Sequence, residues 1–144
     1  MSDTPFHSET KTAQQITGHM GEDAAARFYE EQGYTVVERN LHILHNEIDL
    51  IVADGTHLVF VEVKTRHGVY GVHSRYGRPA AAVDRGKQKR TVQAAEAYLR
   101  AHKDPSKPLL QPRIDVVEVY MTRHADGTEE VTHIHQIRNA FNAR

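Results

Sequence analysis

Glu62-Val63-Lys64 ends a run, Leu58-Val59-Phe60-Val61, that otherwise has the composition of a buried strand. A period of two residues puts Leu58, Phe60, Glu62 and Lys64 on one face, so a carboxylate and an ammonium leave the apolar layer together at its end. A second acidic pair stands upstream, Glu47 and Asp49 in Glu47-Ile48-Asp49-Leu50-Ile51-Val52. Carboxylates gathered at a strand end repel one another unless a positive charge lies among them. Asp49, Glu62 and the backbone carbonyl of Val63 are hard oxygen donors of the kind that hold Mg2+ or Mn2+. Such an ion polarises a phosphodiester and lowers the pKa of a bound water. Lys64, beside it, would orient the attacking water or stabilise the extra charge of the transition state. Taken alone, the triplet is better explained by a structural Glu-Lys ion pair at a sheet edge.

The elements that would position these groups can be read from periodicity. Gly18 to Gln32 has Ala24, Ala25, Phe28 and Tyr29 at helical spacing, with Glu22 in the first turn and Gly33 as a C-terminal stop. A strand from Thr35 to Leu41 follows, then a loop with His42 and His45, then a strand from Glu47 to Ala53. Asp54-Gly55 predicts a turn that makes 47–53 and 57–64 an antiparallel hairpin. A Gly55-Thr56 loop sets Asp49 opposite Glu62 and Glu47 opposite Lys64, whereas an Asp54-Gly55 loop sets Glu47 opposite Glu62. Either collects Glu47, Asp49, Glu62 and Lys64 on one face. His67 to Pro79 has no periodicity and reads as a connection. A second helix from Ala80 to His102 has Val83, Val92, Ala95, Tyr98 and Leu99 as its inner face, and Pro105 and Pro108 follow it. Strands from Ile114 to Tyr120 and from Glu130 to Ile137 flank an Asp126-Gly127 turn. The order is αβββαβ with an extra C-terminal strand, an α/β fold whose mixed sheet needs a right-handed crossover.

A chain of 144 residues suits one domain, read as 17–138 between a disordered polar leader, 1–16, and a C-terminal tail, 139–144. The absence of cysteine excludes disulfides and thiolate metal sites. No apolar stretch approaches a signal sequence or a membrane span, so the expectation is a cytoplasmic protein that avoids membranes. The formal charge of −1 argues against indiscriminate coating of nucleic acid, but its distribution is uneven. Between Lys64 and Arg90, eight basic residues face one acid, Asp84, and Tyr70 and Tyr76 are interleaved with them. Arg66, Arg75, Arg78, Lys87, Lys89 and Arg90 could form a phosphate-facing surface; the plain alternative is a solvated face.

Several motifs in fixed order carry a resemblance: Gly18-x-x-Gly21-Glu22, Gly33-Tyr34, Arg39-Asn40, Glu47-Ile48-Asp49-Leu50-Ile51, Val59-Phe60-Val61-Glu62-Val63-Lys64-x-Arg66, Lys87-Gln88 and Arg113-x-Asp115-Val116-Val117. Together they resemble the YraN-like family of small bacterial proteins, within the restriction-endonuclease-like (PD-(D/E)XK) superfamily that includes Holliday junction resolvases. The resemblance covers about Thr17 to Tyr120. It implies a restriction-endonuclease-like fold, a nucleic-acid partner, DNA or RNA with DNA favoured, and Mg2+- or Mn2+-dependent phosphodiester hydrolysis, with branched DNA as a candidate substrate. Glu22, Asp49 and Glu62 fall at its metal ligands and Lys64 at its catalytic lysine; its junction-cutting members imply a homodimer. Three positions depart from the pattern: Asn46 stands where the family has Gly, the loop after Arg66 is longer, and Ala81 and Ala82 lie near a position that often carries Glu.

The remaining candidates have ordinary explanations beside the chemical ones. Glu22 in a first turn would oppose the helix dipole. Lys87 is a surface lysine or a phosphate contact. Arg39 and Asn40 are read as structural, and Asp115 as an anchor of the sheet rather than a ligand. His133 and His135 share a strand face, which chance explains among eleven histidines. The alternative to a nuclease is a catalytically inactive nucleic-acid or protein interaction module, with a structural ion-pair cluster in place of a metal site.

Overall fold

In the computed structural model, residues 12–71 and 85–141 are described. The first element, α1 (Ala13–Glu31), begins five residues earlier than the apolar spacing suggests. Thr12 explains this: its hydroxyl accepts from the Gln15 N–H while the Gln15 side chain accepts from the Thr12 N–H, a reciprocal cap at 3.1 and 2.9 Å. Residues 13–16, read above as part of a polar leader, are therefore helical, and Glu22 lies in the middle of α1 rather than in its first turn. Its helix-dipole explanation falls with that change. Gly33 ends the helix as expected, at φ +94°.

Four strands and a helix follow: β1 (Thr35–Ile43), β2 (Asn46–Ala53), β3 (His57–His67), α2 (Arg85–Ala101) and β4 (Gln111–Arg123), with β5 (Glu129–Ile137) last. They form one five-stranded sheet in the order β1-β2-β3-β4-β5. Only β3 and β4 pair in parallel, as the helix between them requires. This is the mixed α/β sheet of a restriction-endonuclease-like core with an added C-terminal strand.

Leu58 to Val61 reads as an unbroken apolar run because β3 is covered on both faces. Val59 and Val61 pack with Leu50, Val52, Val117, Val119 and Met121 against Ala24, Ala25 and Tyr29 of α1. Phe60 packs with Ile51 and Ile114 against Val92, Ala95 and Tyr98 of α2. The inner face of α2 is thus the one read from spacing, with Thr91 and Ala94 added; Val83 lies outside the described residues.

The β2–β3 hairpin adopts the first of the two registers considered, with Ala53 opposite Leu58 and a Gly55-Thr56 loop. Asp54 holds it, its Oδ1 accepting from the N–H groups of Thr56 (2.9 Å) and His57 (2.7 Å). The loop expected at His42 and His45 is instead a two-residue hairpin turn. Leu44 (φ +51°) and His45 (φ +62°) form it, Ile43 pairs with Asn46, and His42 belongs to β1. Asn46 secures the turn, donating to the Leu44 carbonyl at 3.1 Å. Asn46, where the family has Gly, therefore closes the turn at the entry to β2.

Asp115 does anchor the sheet. It is fully buried on β4 and accepts from Tyr29 Oη (2.7 Å), Arg113 Nε and Nη2 (2.9 and 3.0 Å), Gln136 Nε2 (3.2 Å) and the Asn139 N–H (2.9 Å). One carboxylate thereby ties α1, β4, β5 and the chain beyond β5. Ala140 continues the attachment by donating to the Ile114 carbonyl, so the segment read as a tail is docked at its start. Removing Asp115 would strand a nearly buried guanidinium. Asp115→Ala is expected to lower the unfolding free energy by about 3–5 kcal/mol, measurable by urea denaturation followed by circular dichroism.

Candidate active site at the β2–β3 fork

The β2–β3 ladder stops at Leu50↔Val61, although β2 begins at Asn46 and β3 runs on to His67. Continued, the register would set Asp49 against Glu62, two like charges in direct cross-strand contact. Instead Asp49 turns its carboxylate into the gap. Its Oδ2 accepts the Val63 N–H at 2.8 Å, a donor that a continued ladder would have used. The strands fork at this point, and the side chains singled out from the sequence gather around it.

Glu62, 8% exposed, carries an ion pair from Lys64 Nζ at 3.3 Å and a looser one from Lys87 Nζ, on α2, at 3.8 Å. Glu22 reaches the fork from α1. An added methyl at Gly21 would overlap Thr65 Oγ1 of β3, so glycine is what lets the helix sit this close to the strand. Asn40 completes the set in a conformation that costs energy. It lies in the middle of β1 at φ +52°, a region that non-glycine residues rarely occupy. With its nitrogen turned inward, its amide donates to Glu22 Oε1 and Glu47 Oε2, both at 3.1 Å. Asn40 thus bridges two acids, a closer involvement than the structural role read from the sequence. Arg39, its neighbour, pairs with Asp23 at 2.6 Å and keeps the structural role.

Crowding acids into a half-buried fork moves the titration of Asp49 and Glu22. Burial pushes the Asp49 carboxyl up to about 7, and the charges of Glu62, Glu22 and Glu47 add to the rise while the Val63 N–H opposes it. Glu22 is also raised, first by burial and then by Glu47, against the Asn40 hydrogen bond. Among the described residues no three histidine, aspartate or glutamate side chains already converge as a closed set of metal ligands. Asp49 instead leans on the Val63 N–H and Glu62 on Lys64, while Glu22 and Glu47 share the Asn40 amide.

Asp49, Glu62, Val63, Lys64 and Glu22 are therefore brought to one place, joined by Lys87. Arg66 lies two residues beyond Lys64 on the same face, half-buried, and Lys89 and Arg90 are exposed on α2. Arg75 and Arg78 lie outside the described residues. Asn40 carried a signal that was available: an Asn at the end of an Arg-Asn motif is one of the few side chains that tolerates a left-handed conformation. His133 and His135 stand apart from the fork on β5.

A family model described as an uncharacterised protein family, UPF0102, matches residues 21–119. The chain belongs to that family, which is the YraN-like group its motifs resemble. The match spans the fork from Glu22 to Lys87. Among similar proteins, a UPF0102 protein of Symbiobacterium thermophilum is 42% identical over 126 residues, 88% of this chain and 96% of that one. Another, of Caldanaerobacter subterraneus subsp. tengcongensis, is 37% identical over 131 residues, 91% of this chain and 98% of that one. A third, of Herminiimonas arsenicoxydans, is 40% identical over 117 residues, 81% and 87% of the two chains. None of these descriptions states an activity. Neither described helix is long and apolar enough to cross a membrane.

The raised Asp49 carboxyl has a direct consequence. The folded protein holds this proton more tightly than the unfolded chain, where the group titrates near 3.8. Stability without divalent cations is therefore fully present below pH 4 as far as Asp49 is concerned, and falls as pH rises towards 7, by up to roughly 1.4 kcal/mol per pH unit. Asp49→Asn is expected to flatten that slope and to be the more stable protein at pH 8 in chelator-treated buffer. Parallel wild-type and variant slopes in urea titrations between pH 4 and 8 would rule the assignment out.

Proposed function

We propose that this protein is a divalent-metal-dependent endonuclease that hydrolyses phosphodiester bonds in DNA, with the β2–β3 fork as its active site. The observation that carries the reading is the charge balance of the fork. Glu22, Glu47, Asp49 and Glu62 face Lys64 and Lys87, so four carboxylates against two ammonium groups leave a formal −2 when all are ionised. A structural ion-pair cluster has no reason to carry that excess, and a proton on Asp49 offsets only half of it. One Mg2+ or Mn2+ ion would cancel it.

The residues fit such an ion in kind. Asp49, Glu62 and Glu22 offer hard carboxylate oxygens, the Val63 carbonyl is a further candidate, and the chain has no cysteine to supply a thiolate. A bound divalent ion supplies polarisation of the phosphate and a more acidic water. The chain supplies the rest. Lys64, fixed by Glu62 and half-buried, holds a positive charge where a phosphate or its attacking water would sit, and its ammonium can stabilise charge that develops on the phosphoryl oxygens. Lys87 brings a second ammonium to the same Glu62 carboxylate from α2, and Arg66 a guanidinium one step further along β3, both suited to backbone phosphates. Arg75, Arg78, Lys89 and Arg90 extend this role by sequence position. Affinity from these contacts falls with salt and carries little base information. A cytoplasmic location, a homodimer and branched DNA as substrate fit the same reading.

One observation favours the rival, an inactive interaction module: every acid of the fork already has a protein donor. The two readings part on metal and on turnover. Mg2+ or Mn2+ at millimolar levels is expected to raise the melting temperature of wild type, most clearly at pH 7–8, and to leave Asp49→Ala unmoved. Labelled branched, single-stranded and duplex DNA should be cut only with metal, and Lys64→Ala should cut at least about 100-fold more slowly while still binding the ion. No ion-dependent stabilisation together with no product from wild type would leave the interaction module as the answer.

A further inference from the structure

The polar face of the sheet continues past Lys64. The β3–β4 register sets Lys64 beside Glu118 and Arg66 beside Tyr120, and the β4–β5 register carries these rows on to His135 and His133. Paired residues share a face, so two cross-sheet rows extend from the fork towards β5. Glu118 lies fully buried in the first row, in a strand whose other buried positions are mainly Val, Ile and Met. Its Oε1 lies 2.8 Å from His135 Nδ1 and accepts weakly from Tyr120 Oη at 3.5 Å; its Oε2 has no hydrogen-bond partner among the described residues. A buried carboxylate is expensive in a sheet interior, and here it fixes the ring of His135 beneath a cluster of other rings.

Tyr70 lies over that cluster. Its ring stacks on His133 at 4.1 Å and 24°, sits 5.0 Å from His135, and meets Tyr120 edge-on at 5.4 Å. Despite three ring contacts, Tyr70 remains 43% exposed. A packing aromatic would be covered, and a loose one would not be held by three rings. A ring that is both fixed and open is what a nucleobase needs to stack on, because the ordering cost has been met before binding. Arg66 lies beside Tyr70's neighbour Tyr120 in the β3–β4 register and leads back to Lys64, so a strand whose phosphate lies at the fork can follow the cationic row with its base on the rings.

We propose that Tyr70, seated on His133, is a stacking shelf for an unpaired nucleobase, so that the fork acts on nucleic acid with single-stranded nucleotides beside the scissile phosphate. The substrate assignment rests on the nuclease reading above; the shelf itself is a binding site and needs no turnover.

The test uses the full chain in Ca2+, with a single-stranded oligonucleotide carrying 2-aminopurine and the same oligonucleotide in a blunt duplex, read by anisotropy and by base emission. Wild type should bind the single strand at least tenfold more tightly than the duplex and quench the 2-aminopurine. Tyr70→Ala should lose about tenfold or more of single-strand affinity, the loss typical of one stacked base, together with the quench, at unchanged duplex affinity. Tyr70→Phe should keep both, and His133→Ala should lose part of each, with thermal melts showing every variant folded. Equal single-strand affinity and emission for wild type and Tyr70→Ala would overturn the shelf, as would a wild type that prefers duplex. Single-strand binding through Tyr70 without metal-dependent cleavage of any DNA would retain the shelf and remove the nuclease reading. Cleavage of duplex DNA untouched by Tyr70→Ala would do the reverse, and a wild type that binds no DNA would remove both.

Discussion

The rest of this molecule depends on a conflict between register and charge. Hairpin geometry sets Asp49 against Glu62, and an antiparallel ladder would hold two carboxylates within about 5 Å of one another. The chain resolves this by ending the ladder at Leu50↔Val61 and letting Asp49 take over the Val63 N–H. Everything nearby follows from that break. α1 can bring Glu22 in only because Gly21 allows contact with Thr65, and β1 can present the Asn40 amide only by holding that residue at positive φ. A carboxyl raised to about 7 corresponds to several kcal/mol at neutral pH, a large part of the roughly 5–15 kcal/mol that a domain has in total. The fork is therefore a weak point that other parts of the fold must offset.

What offsets it lies on either side of the sheet. Leu50 and Val52 face α1 while Ile51 faces α2, so β2 is gripped from both faces immediately before the break. Asp115 supplies the polar counterpart. It is a carboxylate more deeply buried than Asp49, yet it meets a bidentate guanidinium, a tyrosine hydroxyl and a backbone N–H. The two aspartates show opposite solutions to burial of a charge: Asp115 is surrounded by donors, and Asp49 has one donor among acids. A fold that can satisfy one aspartate so fully leaves the other short of partners for a reason other than poor packing.

Residue patterns that repeat were legible in the sequence, and single-residue geometry was not. Leu58 to Val61 and the inner face of α2 follow from hydrophobic period, and hairpin parity puts Asp49 and Glu62 on one face. The choice between two even loops needed the structure, because Asp54 favours Gly55-Thr56 through side-chain hydrogen bonds that parity does not register. The start of α1 was missed although Thr12-x-x-Gln15 is a capping box, since the segment before Gly18 lacks an apolar stripe. The β1–β2 turn was missed because Leu44-His45 lacks the Asn-Gly chemistry that such turns usually need. Asn40 was undervalued for a related reason: its function depends on a dihedral angle, and a propensity argument averages over those.

Asn40 also bears on what kind of site this is. A left-handed residue within a strand costs of order 1–3 kcal/mol and persists only where its surroundings hold it. Relaxing it would restore β1 but withdraw the amide from Glu22 and Glu47, leaving two partly desolvated acids facing each other. Strain in the backbone and repulsion among the acids are thus set against each other, and neither is fully relieved. A cluster built only for stability could escape both by replacing one acid with a neutral residue, a single substitution. That the fork instead combines a strained asparagine, a proton-binding aspartate and two lysines shared on one glutamate supports the proposal of a site arranged around charge that arrives from outside the fold.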